Sequence, residues 1–564
     1  MTSPYLSIDI SPRRSQCWLF CEGGNGFELQ AYASQKGAAN DIATLVESLR
    51  ELEKQSGQEL LTTSGKLIFA DESSSEGVER VGVTLSAGKP IRTALVGLSE
   101  KFSLEPLRRL VSVFNTEIVL EINLQNEPNI SSQLERLTTS DFDLLIIAGG
   151  VNGGPERALR VMVNNLRLLV QLRGAERPQI VYAGNQALAD YAKLELDMGG
   201  DLHIAGNIQP DIGREDLSFA YTAILNAFER IRFKEFPALK KTLDHPKVDL
   251  LPSEFSRGRI GHWLEQTQTN GKGVLQIHLE PEFGQLLVTH NGIRSGVFER
   301  TTVEQADIDA VGNMLDMAVD RAEVAAYMLN KLSFPAFLPA TLEELSIEMA
   351  WVCQRIKKML CRLNALDPAF HYDAQMGLRD NYEPILLSGS GFDRLPSYRH
   401  VFITILDSVL PRGITTLVLD DSELLGALGV LAGANSMLAT QVVDSDVFTS
   451  LATLISVESP LPVGQEVLKL EIDEGEGEVR RHHRIFLPDL KRIEVLPDRE
   501  IRAYLAPEEN SDVGMGLRGL GGWLSTPPSK LGIIVDARGR PPFLPTDPAA
   551  RKEIRRDWLW ELGG

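Results

Sequence analysis

Cysteine is scarce: Cys17, Cys21, Cys353 and Cys361 are the only four in 564 residues. That number cannot build a disulfide framework, and the x3 and x7 spacings are not those of a zinc site, so a reducing compartment is expected. Cys17 and Cys21 alternate with Trp18 and Phe20 in a strand-like run, which favours packing over metal binding. No stretch approaches the ~20 apolar residues that cross a bilayer. The N-terminal MTSPYLSIDIS also lacks a basic stretch ahead of an apolar one, so neither export nor membrane insertion is expected, and the chain reads as cytoplasmic. Positive charge is in short supply, with 57 Lys and Arg against 77 Asp and Glu, and a net charge of -20 repels nucleic acid and anionic membranes. The longest basic cluster, Arg551 to Arg556, is broken by Glu553 and has the spacing of a solvated helix face. An HExxH helix, a CxxC pair, a P-loop and a Ser/His/Asp arrangement are all missing, so no catalytic residue or metal ligand is assigned.

What is present is a long chain of ordinary globular composition. With 43% hydrophobic and 24% charged residues it should fold throughout, and 564 residues exceed what one core supports. The opening reads as a meander: strand Tyr5 to Ile10, a turn through Pro12, strand Gln16 to Cys21, a GGNG turn, and strand Phe27 to Ala33. A helix over Asp41 to Leu52 and a strand over Lys66 to Ala70 follow. Strands and helices then alternate: strands at 92–96, 118–120, 144–148 and 180–183, helices at 104–113, 132–137 and 156–172. Such alternation predicts parallel strands with crossover helices, and a first α/β lobe, 1–250.

A second lobe, 251–445, starts in the same way. Val274 to Leu279 and Gln285 to His290 predict a hairpin, helical stretches follow at Glu304 to Lys331 and Thr341 to Leu363, and strands at Ile385 to Ser388 and Thr416 to Leu419 alternate with helices from Ser397 and Leu424. The similar openings suggest a duplicated architecture. From 446 to 564 short β-like runs at 467–472, 479–486 and 531–535, rich in Gly and Pro, predict a β-rich C-terminal extension. Its segment Asp512 to Gly522 has the glycine content of a mobile or tightly turning loop.

Two glycine loops are the candidate ligand sites. In IIAGGVNGGPERAL a buried-type strand runs into Gly149, Gly150, Gly153 and Gly154 before a helix that begins at Pro155. Paired glycines let backbone approach a ligand and the helix N-terminus offers N–H groups to an anion; a plain strand–helix turn would look the same. In ILLSGSGFDRLP, Gly389 and Gly391 follow a strand of the second lobe, again as either a cradle or a turn. If the two lobes each contribute one loop, a cleft between them could hold a nucleotide.

The segments AGGVNGGPERALRVMVNNLRLL, VYAGNQALAD and NIQP, with SSSEGVERVGVTLSAG, TALVGLSEKFSLEPLRRLV and LLSGSGFDRLP through ITTLVLDDSELLGALGVLA, resemble the glutamate mutase L family. This is an actin-like ATPase-superfamily group associated with coenzyme-B12-dependent mutases, and the matching stretches cover most of residues 5 to 435 in order. The resemblance implies a fold of the sugar kinase/Hsp70/actin type, with ATP or ADP and Mg²⁺ between two lobes and no covalent cofactor. It also implies an accessory or reactivating role toward a cobalamin-dependent mutase subunit, with a homo-oligomer allowed. Asp9, Gly149, Gly150, Gly153, Gly389 and Gly391 are the residues it would place at the cofactor.

This chain departs from the family pattern at both phosphate turns. The first turn of the family resembles D-x-G-S/T-x-T, whereas Asp9 here is followed by Ile10, Ser11 and Pro12. The second resembles D-x-G-G-x-T-T-D, whereas this chain has His278, Leu279, Glu280, Pro281, Glu282, Phe283 and Gly284. A side chain replaces the bare backbone, proline removes an N–H donor, and Glu280 and Glu282 put negative charge where phosphate oxygens should lie, unless one of them serves as a metal ligand. The expectation is therefore weak or lost ATPase activity; the alternative is a pseudo-ATPase scaffold for protein binding.

Overall fold

The computed structural model describes residues 3–563 apart from 25, 38–41, 71–76, 127–128, 269–270, 317–318, 446, 476–479 and 497–498. Asn25 of the expected GGNG turn, Asp41 at the start of the first expected helix and 73–76 of the SSSEGVER segment lie outside the described residues. The chain divides into two compact units, Met1–Ile260 with Leu425–Asp444, and Gly261–Leu424 with Ser445–Gly564.

The first unit opens with the expected meander, β1 (Tyr5–Ile10), β2 (Arg14–Gly23) and β3 (Gly26–Lys36). Leu6, Ile8 and Ile10 of β1 are all buried, as befits a strand with neighbours on both sides. β3 buries Ala31 and Ala33 and exposes Glu28, Gln30 and Tyr32, the alternation of an edge strand with one wet face. β4 (Arg80–Leu85) lies parallel to β1. The expected strand at Lys66 to Ala70 is reduced to isolated bridges, Leu61 to Leu67 and Phe69 to Val78.

Beyond β4 the chain leaves this sheet. Strands β5 (Ile91–Gly97), β6 (Thr116–Asn123), β7 (Leu144–Ala148), β8 (Gln179–Tyr182) and β9 (Leu202–Ile204) form a separate, wholly parallel sheet in the order β6-β5-β7-β8-β9. The continuous apolar run of β7 is buried throughout, and the helix Arg157–Arg173 covers it with Leu159, Met162, Val163, Leu166, Leu169 and Val170. Each such side chain contributes ~1.5–3 kcal/mol by leaving water. The chain then returns as β10 (Val248–Pro252), parallel to β4, completing the order β10-β4-β1-β2-β3. The alternation expected to build one lobe thus builds two sheets. Periodicity identifies strands but carries no record of which strands share hydrogen bonds.

The second unit repeats the plan. β11 (Gly273–Leu279), β12 (Phe283–His290) and β13 (Ile293–Arg300) form an antiparallel meander. Its second turn is Asn291-Gly292, where φ values of 53° and 74° suit a two-residue hairpin. The helices Gln305–Met314, Arg321–Ser333 and Leu342–Leu366 follow. The single stretch expected over Glu304 to Lys331 is broken in two because Asp320 accepts the N–H of Ala322 as an N-cap, while Asp316 is drawn to Arg551 (3.4 Å) and Arg555 (3.0 Å). Those contacts also correct the reading of the basic cluster as a solvated face: two of its arginines hold Asp316.

After a short ladder of β14 (Tyr372–Asp373) and β15 (Gly377–Leu378), β16 (Tyr382–Ser388) runs parallel to β11, and β17 (Ile414–Asp420) runs parallel to β16. β18 (Thr449–Ser456) pairs antiparallel with β17 and continues the sheet. A four-stranded antiparallel sheet comprises β19 (Glu466–Asp473), β20 (Arg481–Phe486), β22 (Ile501–Pro507) and β23 (Gly522–Thr526). Between and after these, β21 (Leu490–Ile493) and β24 (Ile533–Asp536) return to the large sheet, giving the order β13-β12-β11-β16-β17-β18-β24-β21. The C-terminal stretch is β-rich, as expected, and it is built into the second unit. Val467, Leu470 and Ile501 of the smaller sheet share one core with Ile414, Ile455 and Ile533 of the larger. The stretch Asp512 to Gly522 is tightly turned, with Gly519 N donating to Ser511 O and Leu520 N to Leu517 O.

Candidate functional site

The two meanders place four residues of each lobe in corresponding positions. In the first, Ser11-Pro12-Arg13-Arg14 joins β1 to β2, and in the second Glu280-Pro281-Glu282-Phe283 joins β11 to β12. Both turns close on themselves: Ser11 N donates to Arg14 O at 3.0 Å, and Glu280 N to Phe283 O at 2.8 Å. The Ser11 hydroxyl adds a bond to the same Arg14 carbonyl at 3.2 Å. Since proline has no N–H, each turn has lost one donor to covalent structure and another to its own hydrogen bond.

Two residues before each turn stands a polar side chain held by a hydroxyl from the neighbouring parallel strand. Asp9 is in register with Thr84 on β4, and His278 is in register with Ser388 on β16. Asp9 Oδ1 accepts from Thr84 Oγ1 at 2.6 Å and from Ser253 Oγ at 2.8 Å. His278 Nδ1 lies 3.0 Å from Ser388 Oγ. Burial, aided by the charge of Asp9, pushes the nearby Cys17 thiol well above its usual range.

The second turn carries more than its own closure. Ser390 Oγ donates to Glu280 Oε2 at 2.6 Å and Ser390 N to Glu280 Oε1 at 3.3 Å, while Glu280 Oε1 is 3.8 Å from His278 Nε2. From beneath, Arg355 Nη2 donates to the carbonyls of Glu280 (2.7 Å) and Phe283 (2.8 Å). Burial lowers this guanidinium to about 10, against the pull of Glu348 and Glu299. A small, solvent-open pocket adjoins it, lined by Gly284, Glu299, Thr301, Asp307, Arg355 and Lys358. Its charges are already matched, since Lys358 lies 3.1 Å from Glu299 and 3.3 Å from Asp307.

Ser388, His278 and Glu280 are a serine, imidazole and carboxylate brought together by tertiary structure, an arrangement that sequence spacing did not disclose. Ser388 is 3% exposed and His278 6%, so the group is a packed polar core of the hairpin and not a surface nucleophile. Thr84 is the residue that sequence reading missed, and Ser388 stood there only at the end of a strand, with no role; the available signal was a hydroxyl residue near the end of the parallel strand in VTLSAG and LLSGSG.

The glycine loops do not correspond to each other. Gly389 and Gly391 follow β16, whose counterpart is β4, so the first-unit equivalent of LLSGSG is TLSAG, where Ser86 N and Ala87 N donate to Ile10 O. Gly149, Gly150 and Gly153 lie in the separate parallel sheet, because the insertion between β4 and β10 carries them away. Gly389 has φ 95°, and a Cβ there would meet Leu279 O at 2.4 Å; Gly391 N donates to that same oxygen at 2.8 Å. Those glycines seat the loop on the end of β11.

The loop after β7 stands where the strand order of the parallel sheet reverses, between β5 and β7, the position at which such sheets bind ligands. Gly149 (φ 148°) is required by contact with Leu98, whose Cβ would lie 2.6 Å from an added methyl. Asn152 Oδ1 accepts from Asn207 Nδ2 (3.0 Å) and Gln186 N (3.1 Å), Asn207 Nδ2 also donates to Gly150 O (2.8 Å), and Asn152 N donates to Pro210 O (3.0 Å). The AGGVNGG, AGNQ and NIQP segments are thereby one amide lattice across three strand ends.

In both turns the first N–H is spent internally and a proline removes another donor, and in the second unit the Glu280 carboxylate occupies the amide and hydroxyl of Ser390. Among the described residues no group of three or more His, Cys, Asp and Glu is placed to hold a metal ion.

Each unit contains a meander of three antiparallel strands with two further strands parallel to its first, and this duplication defines the class: a two-lobed α/β protein of actin-like architecture. Residues 25–278 match the family model described as MutL protein, in line with the resemblance to glutamate mutase L. A 144-residue segment is 23% identical to Protein MutL of Clostridium tetanomorphum, spanning 25% of this chain and 29% of that relative, less than a third of its length. Among solved structures, an ATP-dependent caprolactamase from Pseudomonas jessenii is 11% identical with a TM-score of 0.33, covering 85% of this chain and 81% of that one. Plasmodium falciparum glycerol kinase with ADP is 9% identical, TM-score 0.31, over 80% and 94%. The PilM-PilN type IV pilus biogenesis complex gives 10%, 0.27, 78% and 99%. Scores this low leave the strand order, read directly, as the ground for the fold. Among the described residues no helix is long and apolar enough to cross a membrane.

Proposed function

We propose that this chain is a glutamate mutase L-like accessory or reactivating protein for a coenzyme-B12-dependent mutase, acting in the cytoplasm with ATP turnover weak or lost. The MutL match over residues 25–278 supports the accessory role, and the two proline-closed turns support the loss of turnover. The partner class is a cobalamin-dependent mutase subunit, with self-association allowed, and the cofactor class to test is ATP or ADP with Mg²⁺. The candidate contact residues are tested singly, Asp9 in the first unit and Gly389 and Gly391 in the second, while Gly149, Gly150 and Gly153 belong to the loop of the separate parallel sheet. Of these, Asp9 has its Oδ1 engaged by Thr84 and Ser253, and Gly389 and Gly391 are packed on Leu279, which supports weak binding.

The experiment is a pair of measurements on the full chain. Melting with ATP and Mg²⁺ should shift little, whereas a ligand at 100 times its Kd would stabilise by ~2.7 kcal/mol. A cobalamin-binding mutase subunit should co-purify and recover activity faster in the presence of this chain. A large ATP-dependent shift with steady hydrolysis would contradict the loss of turnover; the absence of any mutase interaction would contradict the accessory role. A second reading, a pseudo-ATPase scaffold for protein binding, is favoured by one observation: Glu280 already fills the Ser390 donors that a ligand would use. Under that reading the mutase subunit binds without any dependence on nucleotide.

A further inference from the structure

The loop Ser388 to Gly391 binds an anion, and the anion belongs to the protein. Both oxygens of Glu280 are held by one residue, Oε2 by the Ser390 hydroxyl at 2.6 Å and Oε1 by the Ser390 amide at 3.3 Å, with His278 Nε2 a further 3.8 Å from Oε1. The hydroxyl distance is in the range of a charge-assisted bond. The Glu280 side chain is only 13% exposed, so the carboxylate is set into the site. The loop is fixed independently of that carboxylate, because Gly391 N bonds Leu279 O at 2.8 Å and Gly389 admits the close approach that a side chain would prevent.

The first lobe shows what the same position does without a carboxylate. Ser11 occupies the place of Glu280, ahead of Pro12 as Glu280 is ahead of Pro281, and its turn closes by the equivalent hydrogen bond. A serine is therefore compatible with this turn, and its hydroxyl is too short to reach a neighbouring loop. The charge and length of Glu280 are what the second lobe adds.

We infer that Glu280 is an intramolecular ligand that occupies an oxyanion site formed by the Ser390 amide and hydroxyl, and that removing its carboxylate opens that site to phosphate, whether free or carried by a nucleotide. This rests on the reading that the second-lobe turn no longer serves a triphosphate. A carboxylate in the site excludes a second anion by occupying the donors and by like-charge repulsion within a few ångströms, where the effective dielectric is well below that of water.

The test compares the full-length wild type with Glu280→Ser, which copies the first lobe, and with Glu280→Gln, which keeps the shape and removes the charge. Binding of inorganic phosphate and of ADP is measured by equilibrium dialysis, each without Mg²⁺. Glu280→Ser is expected to bind phosphate at least about tenfold tighter than wild type, since ~1.4 kcal/mol of relieved repulsion gives that factor. Glu280→Gln gains less because its amide oxygen still accepts from Ser390, and it carries the test should Glu280→Ser not fold. Adding Ser390→Ala should remove most of the gain. A larger gain for ADP than for phosphate would show that the site receives the nucleotide's phosphate; equal gains would assign it to free phosphate. The inference is overturned if a folded Glu280 variant binds both probes no better than wild type, or if the gain survives Ser390→Ala. Tight ATP binding by the wild type would instead count against the functional reading above, so the two failures are separable.

Discussion

Removing Arg538 should uncouple the C-terminal stretch from the sheet it completes. Its side chain is fully buried and donates from Nε to Asp536 Oδ1 (2.8 Å) and from Nη1 to Asp407 Oδ1 (2.8 Å), with Trp558 stacked 4.6 Å from the guanidinium. Arg540 completes the group at 3.1 Å from Asp536 Oδ2. Breaking a buried pair by deleting one partner costs ~3–5 kcal/mol, because the remaining charge stays out of water. Arg538→Ala leaves Asp536 with Arg540 and should fall at the lower end. Asp536→Ala removes the carboxylate that Arg538 and Arg540 share, leaving Arg538 only the part-exposed Asp407 and Arg540 only neutral acceptors, and should cost more. Although burial alone would push Asp536 up, Arg538 and Arg540 hold it down at about 2. A carboxyl with a depressed folded value contributes stability that is complete above its unfolded value near 3.9 and is lost as pH falls through the folded one, so this contribution should fade between about pH 4 and 2. Urea denaturation followed by Trp fluorescence at pH 7 and at pH 3 measures both effects. If Arg538→Ala and Asp536→Ala each cost less than ~1 kcal/mol at neutral pH, or if Arg538→Ala costs the more, the account of this cluster is wrong.

Three further outcomes follow from the same structure. A chain ending at residue 444 should fail to fold its second unit, as shown by lost cooperativity in melting, because it strips β18, β24 and β21 from the large sheet and with them the buried Leu451, Leu454 and Ile534; an independently stable 1–444 fragment would contradict the shared core. Burial pushes the Glu254 carboxyl up, against the hydrogen bond it accepts from Asn115 N at 2.8 Å, so its folded state loses stability as pH rises from the unfolded carboxylate range through the raised value. Glu254→Gln should accordingly raise the melting temperature, by ~1 kcal/mol equivalent, more at pH 8 than at pH 4; an equal change at both would remove the titration from the explanation. Cys361 is exposed, whereas burial raises Cys353 to about 11 and Cys17 higher still, so a thiol reagent should label Cys361 in the native protein and reach Cys17 and Cys353 only after denaturation.

Pro12 and Pro281 exclude an N–H at their positions in any fold, and the apolar alternation around them already marks two meanders, so the closing of both phosphate turns was legible residue by residue. The helix Arg157–Arg173 was legible for the same reason, since 3.6-residue periodicity acts between near neighbours in the chain. Tertiary structure alone decided the pairings over long separations. It put Ile91 to Ile204 into a sheet of their own and returned the chain to β10, moving Gly149 away from any correspondence with Gly389. It brought Ser390 to Glu280 across 110 residues and Arg538 to Asp407 across 131, and so turned a glycine loop into an occupied anion site and an extension into part of a lobe. Local stereochemistry is written in each residue and its neighbours, whereas a hydrogen bond between distant residues exists only once the strands carrying them have chosen their partners.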